Sequence, residues 1–138
     1  MIARKKTKPL KYELSDFDLG WVVGILEGEG SFCTNISPRG YLSTQIFVAS
    51  TDQDVILRLE ELIPDGKTTY VRTYDNHYKT QYSWSLNKRA ACRGICKLIQ
   101  SHMSSRRSDR IQLMIETIDN YENKKEPTPE GMGCVLIA

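Results

Sequence analysis

The residues best suited to chemistry are two glutamates, Glu27 and Glu29, on either side of Gly28. They end an apolar stretch in which Gly20, Gly24 and Gly28 stand four residues apart. On a helix this spacing places the glycines on one face, although each interior glycine costs about 1 kcal/mol relative to alanine. Close approach of a second backbone would account for that cost. Two such helices packed along their glycines would bring two Glu29 carboxylates together, in a suitable place for a divalent metal.

A simpler interpretation fits the same residues. An amphipathic helix that ends in a glycine-rich turn, with both glutamates solvated, has the same pattern. Small residues at this spacing also pack transmembrane helices together, but this apolar stretch is too short to span a bilayer.

The helix that carries these residues is predicted from about Asp16 to Gly28, with Ser15 and Asp18 as a capping-box pair. After Gly30 the hydrophobic period changes to two, which is typical of strands. We predict a first hairpin with strands at 32–37 and 41–48. A second hairpin is predicted at 67–74 and 78–86, with its turn at Asp75–Asn76.

Three further helices complete the predicted domain. Asp52 caps the second helix, and the third and fourth run over Lys88–Met103 and Arg106–Tyr121. This order predicts an α+β domain at 14–121, an antiparallel four-stranded sheet with helices packed on one face. Residues 1–13 are predicted to be a basic flexible arm, and residues 122–138 a flexible tail.

Composition places the chain among ordinary globular proteins. It has 138 residues, 40% hydrophobic and 26% charged, with a net charge of +2, which fits one domain with a real core. The cysteines form no C-x-x-C pair and the two histidines lie far apart, which argues against structural zinc. Without a visible signal peptide or membrane span, we expect a soluble, intracellular protein with reduced cysteines.

The polar face of the predicted sheet is suited to nucleic acid. The hairpin regions 30–51 and 67–86 hold four basic residues and one acid, and their other polar side chains can contact base edges or phosphates. A strand of about ten residues spans about 33 Å, or roughly ten base pairs, so two copies would cover roughly twenty. The candidate DNA-binding residues are Asn35, Ser37, Arg39, Tyr41, Ser43, Gln45, Tyr70, Arg72, Tyr74, Lys79, Gln81 and Ser83.

The segment from Val22 to Phe32 resembles the LAGLIDADG motif of homing endonucleases, including its continuation at Gly30, Ser31 and Phe32. Glutamate replaces aspartate at both acidic positions of the motif, and valine replaces the first leucine and alanine. The predicted order contains the αββαββα core of that family over about 14–121. The resemblance implies a homodimer that cleaves both strands of a long pseudo-palindromic DNA site with Mg²⁺, for which Mn²⁺ or Ca²⁺ can substitute.

The resemblance also implies roles for individual residues. Glu29 matches the acid that binds the catalytic metal, together with the Gly28 carbonyl, and Gly20, Gly24 and Gly28 form the dimer interface. Glu27 is expected to support the helix ends. A basic residue before the last helix stabilises charge in the family, which points here to Arg106 or Arg107. Its role would be electrostatic, because arginine is no general base at neutral pH.

Two other functions fit the same fold. A non-cleaving descendant, either an RNA maturase that assists intron splicing or a DNA-binding regulator, would keep the glycine-faced dimer and the polar sheet. The retained Glu29 argues against it, since a splicing factor needs no metal-binding acid there. A dimerisation domain without nucleic acid is disfavoured by the scarcity of acids on the sheet face.

Overall fold

The computed structural model describes residues 12–71, 80–123 and 134–135. The described chain forms four α-helices, five strands and one 3₁₀ turn. In order they are α1 (Asp16–Glu29), β1 (Ser31–Ile36), β2 (Leu42–Ser50), α2 (Gln53–Leu62), β3 (Lys67–Val71), β4 (Gln81–Leu86), α3 (Arg89–Ile99), a 3₁₀ turn (Gln100–His102), α4 (Ser105–Asn123) and β5 (Cys134–Val135).

The strands form one antiparallel sheet in the order β3-β4-β2-β1-β5. The helices pack on one face of it, with α4 against β1, α1 and α3 against β2, and α2 against β4. The predicted α+β order is therefore confirmed, with four main strands and the helices on the opposite side from the polar face. None of the helices in the described ranges is both long and apolar enough to cross a membrane.

Local capping explains where the first two helices begin. The Ser15 hydroxyl accepts a hydrogen bond from the Asp18 backbone N–H at 3.1 Å. The Asp52 carboxylate accepts one from the Asp54 N–H at 3.0 Å. Each cap supplies a partner to one of the N–H groups that a helix start leaves unpaired. Both caps were predicted, and both lie where the sequence places them.

The β1–β2 turn depends on Gly40, whose φ of 85° lies in the left-handed region that favours glycine. The Gly40 N–H donates to the Ser37 carbonyl at 2.8 Å, and the Ser37 N–H donates to the Tyr41 carbonyl at 2.9 Å. The strands then alternate as predicted, with Leu42 and Ile46 buried and Ser43 exposed.

The second hairpin corrects one residue assignment. The prediction places Tyr70 on the same face as Gln81 and Ser83, but Tyr70 is opposite Tyr82. Directly opposed residues share a face, and Tyr82 lies on the same face as the buried Trp84. Tyr70 therefore shares the face of Trp84 and not that of Gln81, and at the end of β3 its side chain is 59% exposed. A register change of one residue moves every side chain to the other face.

Several boundaries also differ from the prediction, including the end of α4, which lies at Asn123 and not at Tyr121. The third helix was predicted to end at Met103, but α3 ends at Ile99 and is followed by the 3₁₀ turn Gln100–His102. Cys134–Val135 pairs with β1 inside the segment predicted to be a flexible tail, so these two residues extend the sheet. Of the arm predicted at 1–13, residues 1–11 lie outside the described residues, as do the predicted turn at Asp75–Asn76 and most of the tail. Tyr12 is described, and it packs against the core and donates a hydrogen bond to the Asp65 carboxylate at 2.7 Å, so the folded domain begins before the predicted position 14.

A single core fills the space between the sheet and the helices. Fully buried side chains come from every helix and from the two central strands, including Leu26, Ile46, Ile56, Trp84, Ile95 and Ile111. Cys92 and Cys96 belong to this core, as predicted for small interior residues. The core leaves the far face of the sheet and one face of α1 for contacts outside the subunit.

Candidate metal and nucleic-acid site

The glycine face of α1 lies at the surface of the subunit. Val22 and Leu26 on the opposite side of the helix are fully buried, whereas Gly20, Gly24 and Gly28 are exposed. A Cβ atom built at any of the three would meet no described atom within 4 Å. Packing inside the subunit therefore does not explain why these positions lack side chains.

Glu29 is the last residue of α1, and its side chain is exposed. The chain passes directly into the sheet through Gly30, whose N–H donates to the Leu26 carbonyl at 3.1 Å. A Cβ at Gly30 would lie 2.6 Å from that carbonyl oxygen, so there is no room for a side chain. This tight junction holds Glu29 where the helix meets β1.

Glu27 connects the end of α1 to the start of α4. The Arg107 Nε donates to the Glu27 backbone carbonyl at 2.6 Å and lies 3.1 Å from the Glu27 Oε2. Its one hydrogen is used by the carbonyl, so the contact with Oε2 is an ion pair. The Ser104 N–H donates to the other carboxylate oxygen at 3.4 Å.

These contacts place the two candidate arginines in different surroundings. The Arg107 side chain is only 13% exposed and is held by Glu27. Arg106 is exposed, and it forms no ion pair with any residue that the structure describes. The contact between Arg107 and Glu27 was missed at the level of sequence, because no local pattern connects residues 80 positions apart.

The oxygen donors at the end of α1 fit a hard divalent cation. Glu29 supplies a carboxylate, and Gly28 supplies a carbonyl from the last helical turn, where carbonyls lack helical N–H partners. Within the described residues no group of three His, Cys, Asp or Glu side chains could hold a metal. If a metal binds here, one subunit would supply these two oxygen donors, and the remaining ligands would come from water, a phosphate or a second subunit.

The face of the sheet opposite the helices carries polar side chains on β1, β2, β3 and β4, with Phe47 and Ala49 of β2 among them. Cross-strand pairing places Asn35 opposite Ser43 and Ser83 opposite Thr69 on this face, and the hydroxyl oxygens of the second pair are 2.6 Å apart. The described members of the predicted set that share it are Asn35, Ser43, Gln45, Gln81 and Ser83. Ser37, Arg39 and Tyr41 lie at or beside the β1–β2 turn.

Register adds two residues to this face that the prediction did not include. Lys67 and Thr69 share it, because they lie opposite Ser85 and Ser83. Alternation in β3 alone could not have identified them, since the correct register depends on the loop. Arg72, Tyr74 and Lys79 lie outside the described residues.

Solved structures share this architecture at low sequence identity. The homing endonuclease I-CvuI, in complex with its target in the presence of Ca, has a TM-score of 0.61 at 10% identity, over 78% of this chain and 69% of that chain. The archaeal intron-encoded homing endonuclease I-Vdi141I, complexed with DNA, has a TM-score of 0.63 at 16% identity, over 78% and 70%. The LAGLIDADG meganuclease I-AabMI, bound to uncleaved DNA, has a TM-score of 0.61 at 11% identity, over 76% and 37%. No protein-family model and no curated protein matches the chain.

Proposed function

Because the chain has the fold of the LAGLIDADG homing endonucleases, we propose that it is a site-specific DNA endonuclease. In this proposal two copies pack through the glycine face of α1 and bind a long pseudo-palindromic duplex with their polar sheet faces. Each copy contributes one Glu29 beside the DNA strands to be cut. Glu29 acts there with a divalent metal ion, for which Mg²⁺ is the first candidate.

One observation carries the proposal. The exposed glycine face, where an added Cβ would meet no described atom within 4 Å, leads directly to an exposed carboxylate beside the start of β1. A glycine face that costs helix stability is retained only if it provides a contact that larger residues would prevent. A second copy of the same helix provides such a contact and brings a second Glu29 carboxylate to the same end of the interface.

The metal would be held by the Glu29 carboxylate and the Gly28 carbonyl. When bound, such an ion supplies charge neutralisation at a phosphate and activation of a water molecule. The protein itself contributes position, because Val22 and Leu26 anchor α1 in the core and a single residue, Gly30, connects the helix to β1.

The two arginines have different proposed roles. Arg106, exposed at the start of α4, offers a permanent positive charge to a phosphate. Arg107 positions the site: its contact with Glu27 holds the C-terminal end of α1 against the N-terminal end of α4. Arginine stays protonated at neutral pH, so neither residue removes a proton from water.

Recognition is assigned to the polar sheet face. Asn35, Gln45 and Gln81 carry amides suited to base edges, and Lys67 adds a charge suited to phosphate. Arg39, at the turn, would contact the distant end of each half-site. The residues outside the described ranges, Arg72, Tyr74 and Lys79, remain proposed contacts by sequence.

The test is selection of cleaved sites from a random DNA library with Mg²⁺, followed by comparison of variants on the selected site. Glu29→Gln removes the negative charge but keeps the size of the side chain, so we expect cleavage to be lost and DNA binding to persist. Glu61→Gln is the matched control, because Glu61 is an exposed glutamate on α2. Binding is measured without divalent metal, so that cleavage and affinity are read separately.

Two results would overturn the assignment. Cleavage by Glu29→Gln at the wild-type rate would remove Glu29 from the chemistry. A chain that cleaves no site but binds a structured RNA would favour the maturase function.

A further inference from the structure

Phe17 is a large aromatic side chain placed in solvent. It is 76% exposed and lies near the start of α1, on the side of the glycines. The Arg58 guanidinium lies 5.5 Å from the centre of the Phe17 ring and 4.4 Å from that of Trp21. Arg58 is itself held 3.3 Å from Asp18. The ring is therefore supported from one side while its other side is open.

A cavity of about 240 Å³ lies on the other flank of the same helix. A cavity of about 150 Å³ is large enough to bind benzene, so this one has room for an aromatic side chain. Its lining combines apolar side chains, a bare backbone position and two polar groups. The lining residues are Asp16, Leu19, Gly20, Val23 and His102.

Helix geometry relates the ring to the cavity. At 100° per residue, with Gly24 taken as the centre of the face, Phe17 and Trp21 lie roughly 20° and 60° to one side. Gly20 and Asp16 lie roughly 40° and 80° to the other side. The ring and the cavity are thus on opposite flanks of the glycine face, within about one turn of each other along the axis.

A two-fold axis brings such flanks together. In the proposed dimer both Glu29 side chains lie at the same end, so the two helices run parallel with the axis between them. A two-fold rotation then sets the Phe17 flank of one copy against the cavity flank of the other, and the reverse contact follows by symmetry.

We propose that Phe17 of each copy inserts into this cavity of the second copy, and that the two reciprocal insertions select the parallel dimer. The inference rests on the dimer of the proposed function. The charges beside the ring and the cavity support the choice of a second copy as the partner. Arg58 accompanies the ring, and the exposed Asp16 lines the cavity that receives it. Insertion would therefore bring opposite charges together across the interface.

The first test measures dimer dissociation of the full chain by sedimentation. Phe17→Ala removes two buried rings from each dimer, so we expect the dissociation constant to rise at least about 100-fold. Leu57→Ala is the control, because Leu57 is an apolar side chain on α2 that is 48% exposed, and its dimer should match the wild type. Urea unfolding at low protein concentration checks that both variants keep the fold.

A second test separates contacts between subunits from contacts within one. Asp16→Arg and Arg58→Glu each place like charges against each other at both symmetric contacts, so each variant alone should be mostly monomeric. Mixing the two variants restores opposite charges at both contacts, and native mass spectrometry should then show the mixed dimer. Rescue on mixing cannot arise from the contact that Arg58 makes with Asp18 in its own subunit.

The possible failures are distinguishable. If Phe17→Ala dimerises as the wild type does, or if mixing gives no mixed dimer, the insertion is wrong. The glycine interface would still stand if Gly24→Leu yields monomers. A wild-type chain that stays monomeric at all concentrations, with and without DNA, overturns the insertion and the proposed dimeric endonuclease together.

Discussion

Replacement of Gly24 by alanine should have opposite effects on the single subunit and on the dimer. Within the subunit the added Cβ meets no described atom within 4 Å, so the change acts through helix propensity. Alanine in place of an interior glycine stabilises a helix by about 1 kcal/mol. Between subunits the added methyl groups oppose close approach of two backbones. Overpacking of this kind costs about 1–3 kcal/mol, or roughly 5-fold to 150-fold in the dissociation constant.

The assay is urea unfolding of Gly24→Ala at several protein concentrations, because the apparent stability of a dimer depends on concentration. At concentrations where the wild type is monomeric, the midpoint should rise by about 0.3–1 M, given m-values of about 1–3 kcal/mol/M. At high concentration the variant should lose dimer mass that the wild type retains. A lower midpoint in dilute solution would mean that Gly24 is packed in the folded chain. An unchanged dimer would place the interface elsewhere.

Three other perturbations follow from the described contacts. Gly66→Ala should destabilise the fold by about 1–3 kcal/mol in the same urea assay, because its Cβ would lie 2.5 Å from Cε2 of the fully buried Trp84. Arg107→Ala removes the contacts with Glu27 and should lower the free energy of unfolding by about 1.5–3 kcal/mol. Arg106 is exposed, so Arg106→Ala should leave that free energy unchanged and lower the cleavage rate about 100-fold. The opposite pattern would exchange the roles of the two arginines. Burial raises the pKa of the Cys92 thiol from 9.0 to about 12, so the folded chain keeps a proton that the unfolded chain loses above pH 9. Stability should then fall by up to about 1.4 kcal/mol per pH unit between those values, and Cys92→Ala should reduce that slope.

Features that depend on neighbouring residues could be predicted from the sequence. The caps at Ser15 and Asp52 are local hydrogen bonds, so residue type and position suffice to identify them. The β1–β2 hairpin is equally local, because the turn at Gly40 sets the register and alternation then sets the buried face. The exposed glycines of α1 follow from helical spacing, once the apolar side of the helix is assigned to the core.

Features that depend on residues far apart in the sequence could not be predicted from it. The face of Tyr70 is decided by which residue of β4 lies opposite it, and a shift of one residue in the loop reverses the answer. The two residues of β5 are too few to show a period. The contrast between Arg106 and Arg107 arises because α4 starts beside the end of α1, so that only one of the two side chains reaches Glu27.

The Gly30 junction has a consequence for target spacing. One residue separates the end of α1 from the start of β1, and Val22 and Leu26 of α1 are buried in the same core as Phe32 of β1, so helix and sheet turn as one body. In the proposed dimer the crossing angle of the two helices would therefore set the angle between the two sheets. Substitutions along the glycine face that leave the dimer intact should then change the number of base pairs between the half-sites, with the residues that contact the bases unaltered.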